Sequence, residues 1–253
     1  MLTLIKTMKK LNLISTLLTV LIVLMGCKKE CTFVYSDWTS CSNSIQTRTY
    51  TSSPSGCKGS PPADSLQRSC VMGKIGNQIW TTKNLDVATY RNGDAIPQVQ
   101  DNTAWANLTT GAWCYYANNT ANGTTYGKLY NWYAVNDSRG LAPTGYHIPT
   151  DAEWTILINY LGGELVAGTK LKSNTGWEND GNGTNSSAFA GLPGGYRNFI
   201  QYFYNIGAYG YWWSSSERYT DGAWSRSLYS SDGSVFRDFN VKQGGFSVRC
   251  LRD

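Results

Sequence analysis

A chain of 253 residues, 41% of them hydrophobic, is long enough to bury a sizeable core. Only 15% of it is charged and the formal net charge is +5. That excludes both the dense basic footprint of a nucleic-acid-binding protein and the high charge of a disordered tail. Aromatic residues reach 13%, with 10 Trp and 17 Tyr. Two explanations stand: large rings that fill a loop-rich core in place of helical packing, or rings left exposed as platforms for sugars.

Lys6, Lys9 and Lys10 precede an apolar run from Leu11 to Met25. At roughly 15 residues this run is shorter than the about 20 that span a bilayer, and residues 1–26 read as a secretory signal peptide. The run ends in Leu24-Met25-Gly26-Cys27, which resembles a lipobox, although Met25 is larger than the residue usual at its place. The resemblance implies cleavage before Cys27 and a lipid on its sulfur. The membrane is then the first partner, held through acyl chains, and residues 27–30 form a lipid-anchored linker. The expected location is the cell envelope, as an outer-membrane lipoprotein on its periplasmic or surface face. Loss of three lysines and no acid moves the remaining chain closer to neutrality.

With Cys27 given to lipid, Cys31, Cys41, Cys57, Cys70, Cys114 and Cys250 remain. Outside the cytoplasm an even set of thiols is expected to pair, and the residues alone leave the connectivity open. Four of these cysteines fall within 31–72, a segment poor in aliphatic residues that needs staples to fold. Tyr35-x-x-Trp38-x-x-Cys41, Gln46-Thr47-Arg48, Gly56-Cys57 and Gln67-Arg68-Ser69-Cys70 resemble a thrombospondin type 1 repeat. That resemblance implies a small disulfide-stapled β module with Cys41 joined to Cys70 and Cys31 to Cys57. It also implies a stack of Trp38 with Arg48 and Arg68, worth about 0.5–2 kcal/mol per contact. Such a module serves adhesion or acts as a rigid spacer.

Residues 73–253 contain no charge block or Pro-rich linker and read as one domain. Short aromatic runs bounded by Gly, Asn or Ser, such as Gln78-Ile79-Trp80, Trp113 to Tyr116, Tyr211-Trp212-Trp213, Val235-Phe236 and Phe246-Ser247-Val248, predict strands. Thr150 and Glu153 form a capping box, followed by Trp154, Leu157, Ile158 and Leu161 at helical spacing, with Gly162-Gly163 as the stop. A second helix is expected over Val166–Lys172 and a turn near Thr103–Asn107. The class is α+β.

Gly76-Asn77-Gln78-Ile79-Trp80 with Asn84-Leu85, Tyr126-Gly127-Lys128-Leu129-Tyr130-Asn131-Trp132, and Pro143-Thr144-Gly145-Tyr146-His147-Ile148-Pro149-Thr150 stand in order. They are followed by Leu192-Pro193-Gly194-Gly195-Tyr196-Arg197, Trp212-Trp213-Ser214-Ser215 and Gly245-Phe246-Ser247-Val248-Arg249-Cys250. Together they resemble the Fibrobacter succinogenes major paralogous domain. The resemblance implies a C-type-lectin-like fold, distantly related to formylglycine-generating enzyme domains: a twisted antiparallel sheet, one or two helices and long loops. First and last strands pair in such folds, which would let Cys114 and Cys250 form a third disulfide.

The related enzymes use a pair of cysteines for copper or three histidines for iron, and this chain has a single histidine, His147. One histidine also leaves no ordinary nucleophile–base arrangement to spare, so His147 is read as a structural hydrogen-bonding residue. Glu153, Glu178, Asp180, Glu217, Asp221, Asp232 and Asp238 are the acids from which a hydrolase would draw a carboxylate pair. Glu178-Asn179-Asp180 after Trp177 resembles a lectin calcium motif with a residue inserted. It lies in mid-domain within a Gly- and Asn-rich loop, so no metal or other cofactor is expected, calcium remaining the weak alternative.

The resulting expectation is a non-catalytic, lipid-anchored envelope protein. Its lectin-like domain would bind a glycan or protein ligand, but no nucleic acid, through Trp177, Tyr196, Arg197, Trp212 and Glu217. The alternatives are a structural envelope or fibre subunit and, behind it, a carboxylate-dependent hydrolase. Cys27→Ser is expected to move the protein from the membrane fraction to the soluble fraction with its circular dichroism unchanged. A misfolded variant would show the thiol to be structural.

Overall fold

The computed structural model describes residues 31–36, 45–53, 60–61, 66–69, 73–200 and 202–253. The expected signal peptide, Cys27, Cys41, Cys57, Cys70 and Trp38 lie outside these residues, as does the side chain of Arg68. The described residues fall into two compact units, one holding 31–36, 47–53, 60–61 and 66–68, the other 45–46, 69, 73–200 and 202–253. Among the described residues no helix is long and apolar enough to cross a membrane.

The first unit is built on β1 (Thr32–Tyr35), antiparallel to β3 (Tyr50–Ser53); β2 (Ile45–Thr47) and β4 (Gln67–Ser69) are short strands. Phe33 and Tyr50 meet edge to face at 5.5 Å. The Arg48 guanidinium lies 4.0 Å from the Tyr35 ring centroid, a cation–π contact, while the expected stack on Trp38 falls outside the described residues. Cys31 is disulfide-bonded.

The second unit opens with β5 (Lys74–Ile75) and β6 (Gln78–Ile79), a hairpin whose turn uses the positive φ of Gly76. Trp80 then bridges Leu251, and the Thr81 N–H donates to the Cys250 carbonyl, so the beginning and end of the domain pair directly. Helix α1 (Asn102–Ala106) takes its N-cap from Asp101. β7 (Trp113–Cys114) pairs antiparallel with β8 (Leu129–Tyr130), and between them lies α2 (Thr120–Tyr126), capped by Asn119. The single turn α3 (Trp132–Val135) is capped by Asn131. β9 (Tyr146–His147) pairs with β15 (Leu251–Arg252).

The capping box forms as the residues predict: the Glu153 N–H donates to Thr150 Oγ1, and the Glu153 carboxylate accepts from the Thr150 N–H. Helix α4 (Asp151–Tyr160) follows, and all four residues of its apolar stripe are buried. Each stripe side chain contributes about 1.5–3 kcal/mol by leaving water. Helix α5 (Glu164–Leu171) begins two residues earlier than expected because the Gly163 backbone starts the turn.

A five-stranded sheet completes the domain. Its strands are β10 (Gly194–Arg197), β11 (Phe203–Ile206), β12 (Tyr209–Tyr219), β13 (Gly222–Tyr229) and β14 (Phe236–Val241), in the spatial order β11-β10-β12-β13-β14. All neighbours are antiparallel except β10 and β12. Side chains alternate across it. Trp212 and Leu228 face α4 and α5 in a core with Trp80, Trp154 and Phe189. Trp213 and Ala223 face the other way, onto Tyr130, Phe246 and Val248. The class is therefore α+β. The expected strand Phe246-Ser247-Val248 is instead an inserted segment making single bridges, Phe246 to Tyr130 and Ser247 to Trp212.

The expected Cys114–Cys250 disulfide is not formed, and both thiols are free and buried. Cys114 packs with Trp105, Ala112 and Leu129, whereas Cys250 belongs to the cluster around Leu85 and Tyr130. The pairing of chain ends is carried by backbone bonds and by Arg249. This guanidinium, wholly buried, donates to Asn84 Oδ1 (2.7 Å) and to the carbonyls of Thr81 (2.7 Å), Phe189 (2.7 Å) and Ala190 (2.9 Å).

Gly168 packs α5 onto the 233–234 loop so closely that a Cβ would lie 2.3 Å from the Ser234 carbonyl oxygen. Alanine improves helix propensity by about 1 kcal/mol, yet overpacking against backbone costs about 1–3 kcal/mol. Gly168→Ala is therefore expected to lower the thermal midpoint, measured by calorimetry.

Candidate ligand-binding face

The two-residue period of a strand places Tyr209 and Tyr211 of β12 on one face of the sheet, with Trp213 continuing the row into the core. In the register, Tyr229 of β13 lies opposite Tyr209, and the two rings stack at 4.3 Å. Phe236 of β14 stacks on Tyr229 at 4.4 Å. On the other side Tyr196 of β10 approaches Tyr211 at 4.8 Å and Tyr204 of β11 at 5.7 Å, and Tyr202 meets Tyr204 at 6.4 Å. A ladder of seven rings thus crosses all five strands. Phe246 backs its centre, 5.0 Å from Tyr211 and 4.3 Å from Trp213.

Hydroxyl groups punctuate this apolar surface. Ser227 Oγ donates to Tyr229 Oη at 3.4 Å. Burial, then the neighbouring tyrosines, push the ionisation of Tyr211 and Tyr196 up, so both remain hydrogen-bond donors at physiological pH. Beside Tyr196 a cleft of about 220 Å³, floored by Phe246 and Gly244, opens toward Asn198 and Asn240. It is smaller than the roughly 300–1,000 Å³ that engulfs a drug-sized molecule.

Of the five residues expected to bind ligand, only Tyr196 is part of this face. Trp177 and Trp212 are core residues. Trp177 Nε1 donates to Ser173 Oγ and the Gly191 carbonyl, and Trp212 Nε1 donates to Asn84 Oδ1. Arg197 is fully buried, its guanidinium donating to the carbonyls of Val99 (2.8 Å) and Gln100 (2.9 Å) and to Asn102 Oδ1 (2.9 Å) while lying on Trp105. Glu217 is exposed but ion-paired with Lys242. Polar and aromatic alternation at these positions therefore reports the packing of rings against buried hydrogen-bonding groups.

Glu178, Asn179 and Asp180 form a tight turn in which Asn179 and Asp180 have positive φ and the Gly181 N–H donates to the Glu178 carbonyl. Among the described residues no group of three or more His, Cys, Asp or Glu side chains is placed to hold a metal. Of the acids considered for hydrolysis, Asp232 caps its own turn at the Ser234 N–H, and Glu153 is held by Thr150 and His147.

These motifs now stand in their three-dimensional places, and residues 74–252 match the Fibrobacter succinogenes major domain. The chain belongs to that family. No curated protein and no solved structure gives a significant match. In this member of the family the motif residues Asn84, Trp212 and Arg249 meet in the interior, whereas the tyrosines of the ladder lie largely outside the motifs.

The family's Tyr146-His147-Ile148 motif places the single histidine between two carboxylates, Asp253 at 2.7 Å on Nδ1 and Glu153 at 3.0 Å on Nε2. With an acceptor on each nitrogen the ring is best satisfied as an imidazolium that donates twice, so it is a clasp between β9, β15 and α4. Partial burial pulls its pKa down, but the hydrogen bonds and charges of Asp253 and Glu153 outweigh this and raise it above 6.5. Burial pushes the Glu153 carboxyl up, and the Thr150 and His147 hydrogen bonds more than reverse that, leaving it depressed. A raised histidine stabilises fully below its unfolded pKa and ceases to do so as pH rises through the folded value. A depressed carboxylate stabilises above its unfolded pKa and fails as pH falls through the folded value. The thermal midpoint is expected to fall by a few degrees from pH 6 to pH 8, and His147→Gln to remove that slope.

Proposed function

We propose that this chain is a lipid-anchored cell-envelope protein whose lectin-like domain binds an extended, neutral glycan across the tyrosine ladder. The observation that carries this reading is the coincidence of ring faces with hydroxyl donors. Sugar rings present apolar C–H faces and polar edges, and tyrosines answer both at low conformational cost. A ladder crossing five strands, with a cleft too small to enclose a whole ligand, favours a polymer lying on the surface. The C-type-lectin-like fold is supported by the bridge of Trp80 to Leu251, and the envelope location rests on the lipobox at Cys27.

The full chain in detergent, screened on arrays of neutral glycans and of matrix proteins, tests the proposal. At least one neutral glycan should be retained. Tyr209→Ala and Tyr229→Ala should each weaken it by about 2–10-fold, the loss corresponding to one aromatic contact. Silence on the glycan array would end the reading.

A second reading, an envelope or fibre subunit, is favoured by the exposed Phe199, Ile200 and Tyr202 at the β10–β11 turn. It requires self-association, and a chain that sediments as a monomer at high concentration would remove it.

A further inference from the structure

The opposite face of the sheet carries a different surface where the helices no longer cover it. Trp224 of β13 is partly exposed, and two guanidinium groups contact its ring, Arg237 at 3.5 Å and Arg218 at 4.7 Å. Arg218 also lies 4.8 Å from the Tyr219 centroid, and Tyr219 meets Phe239 edge to face at 5.3 Å. Tyr219 and Phe239 remain 48% and 56% exposed, far more than packing on a sheet requires.

The two arginines differ in what they have left to offer. Arg237 spends Nε and Nη2 on the Asp151 carboxylate, at 3.0 and 2.8 Å, and so forms a fixed back wall. Arg218 is exposed, and among the described residues no carboxylate pairs with it. Glu217, its neighbour in sequence, is already taken by Lys242. A guanidinium held over rings and paired with no carboxylate can receive a planar acid group bidentately.

We propose that Arg218, Tyr219, Trp224 and Phe239 form a second binding surface, one that recognises the acid groups of an anionic polysaccharide. The fork of Arg218 takes the carboxylate or sulfate, and the flanking rings take the apolar face of the sugar that bears it. An acidic polypeptide supplies the charge without a flat apolar face, and a free anion leaves Tyr219 and Phe239 uncovered. This surface lies on the other side of the sheet from the tyrosine ladder and stands independently of the neutral-glycan reading.

The test immobilises the full chain in detergent and offers polygalacturonate, dextran sulfate, neutral dextran and polyglutamate. Polygalacturonate or dextran sulfate should be retained in preference to dextran and polyglutamate, and the comparison of the two assigns the acid group. Binding should weaken as salt rises, because the contact is exposed. Arg218→Ala should weaken it by about fivefold or more, with Arg218→Lys recovering only part. Lys83→Ala, which removes an equal charge from an exposed position elsewhere, should leave it unchanged. Equal retention of polyglutamate, or equal losses from Arg218→Ala and Lys83→Ala, would overturn the proposal by showing attraction to net charge alone.

Discussion

The domain depends on a polar junction at the half-buried Asn84, whose partners Trp212, Ser247 and Arg249 are buried. Its Oδ1 accepts from Arg249 Nε and Trp212 Nε1, while its Nδ2 donates to the Tyr126 carbonyl and Ser247 Oγ. One side chain thereby ties an early loop to helix α2, to the central strand and to the segment inserted beneath the sheet. Arg249 extends the junction to three carbonyl groups and lies over Phe189. Burial without a carboxylate partner pulls its pKa down to about 9, so the charge is held by oriented dipoles. Such a site is stable only when every donor is used, because one unanswered group in a low-dielectric interior costs about 1–3 kcal/mol. That requirement explains why loops fit here as closely as regular elements do.

Around this junction the sheet separates two kinds of packing. One face stacks Trp212 and Leu228 against α4 and α5, with Trp80, Trp154 and Phe189 meeting at 4.7–5.8 Å. The other receives Phe246 over only part of its width, and the uncovered remainder carries the tyrosine ladder. Most tryptophans therefore replace helical packing, while a row of tyrosines is left partly uncovered.

Helix α4 was fully legible in the sequence, because its capping box and stripe are local signals that its burial reinforces. Several strands were legible as short aromatic runs, although Phe246-Ser247-Val248 makes only single bridges, and the pairing of the domain's two ends was implied by the family resemblance. Three of the five binding candidates are buried, for an identifiable reason. Trp177, Arg197 and Trp212 sit next to polar residues in the chain, but the groups that permit their burial come mostly from distant segments: Ser173 and Gly191 for Trp177, residues 99–102 for Arg197, and Asn84 for Trp212. The better signal was the two-residue spacing in Tyr202-x-Tyr204 and Tyr209-x-Tyr211, which sets rings on one face once the segments are known to be strands. That Tyr229 and Phe236 join them depends on register between strands, which no local pattern encodes.

The two unpaired cysteines bear on how the protein matures. Desolvation pushes Cys114 and Cys250 up to about 12, so neither is a thiolate at neutral pH, and both are sealed from solvent. Exchange with an external disulfide needs an accessible thiolate. The large domain can therefore reach its final architecture without an oxidant. It also retains that architecture if the surroundings turn reducing, while the bonded Cys31 in the small unit does not share this indifference.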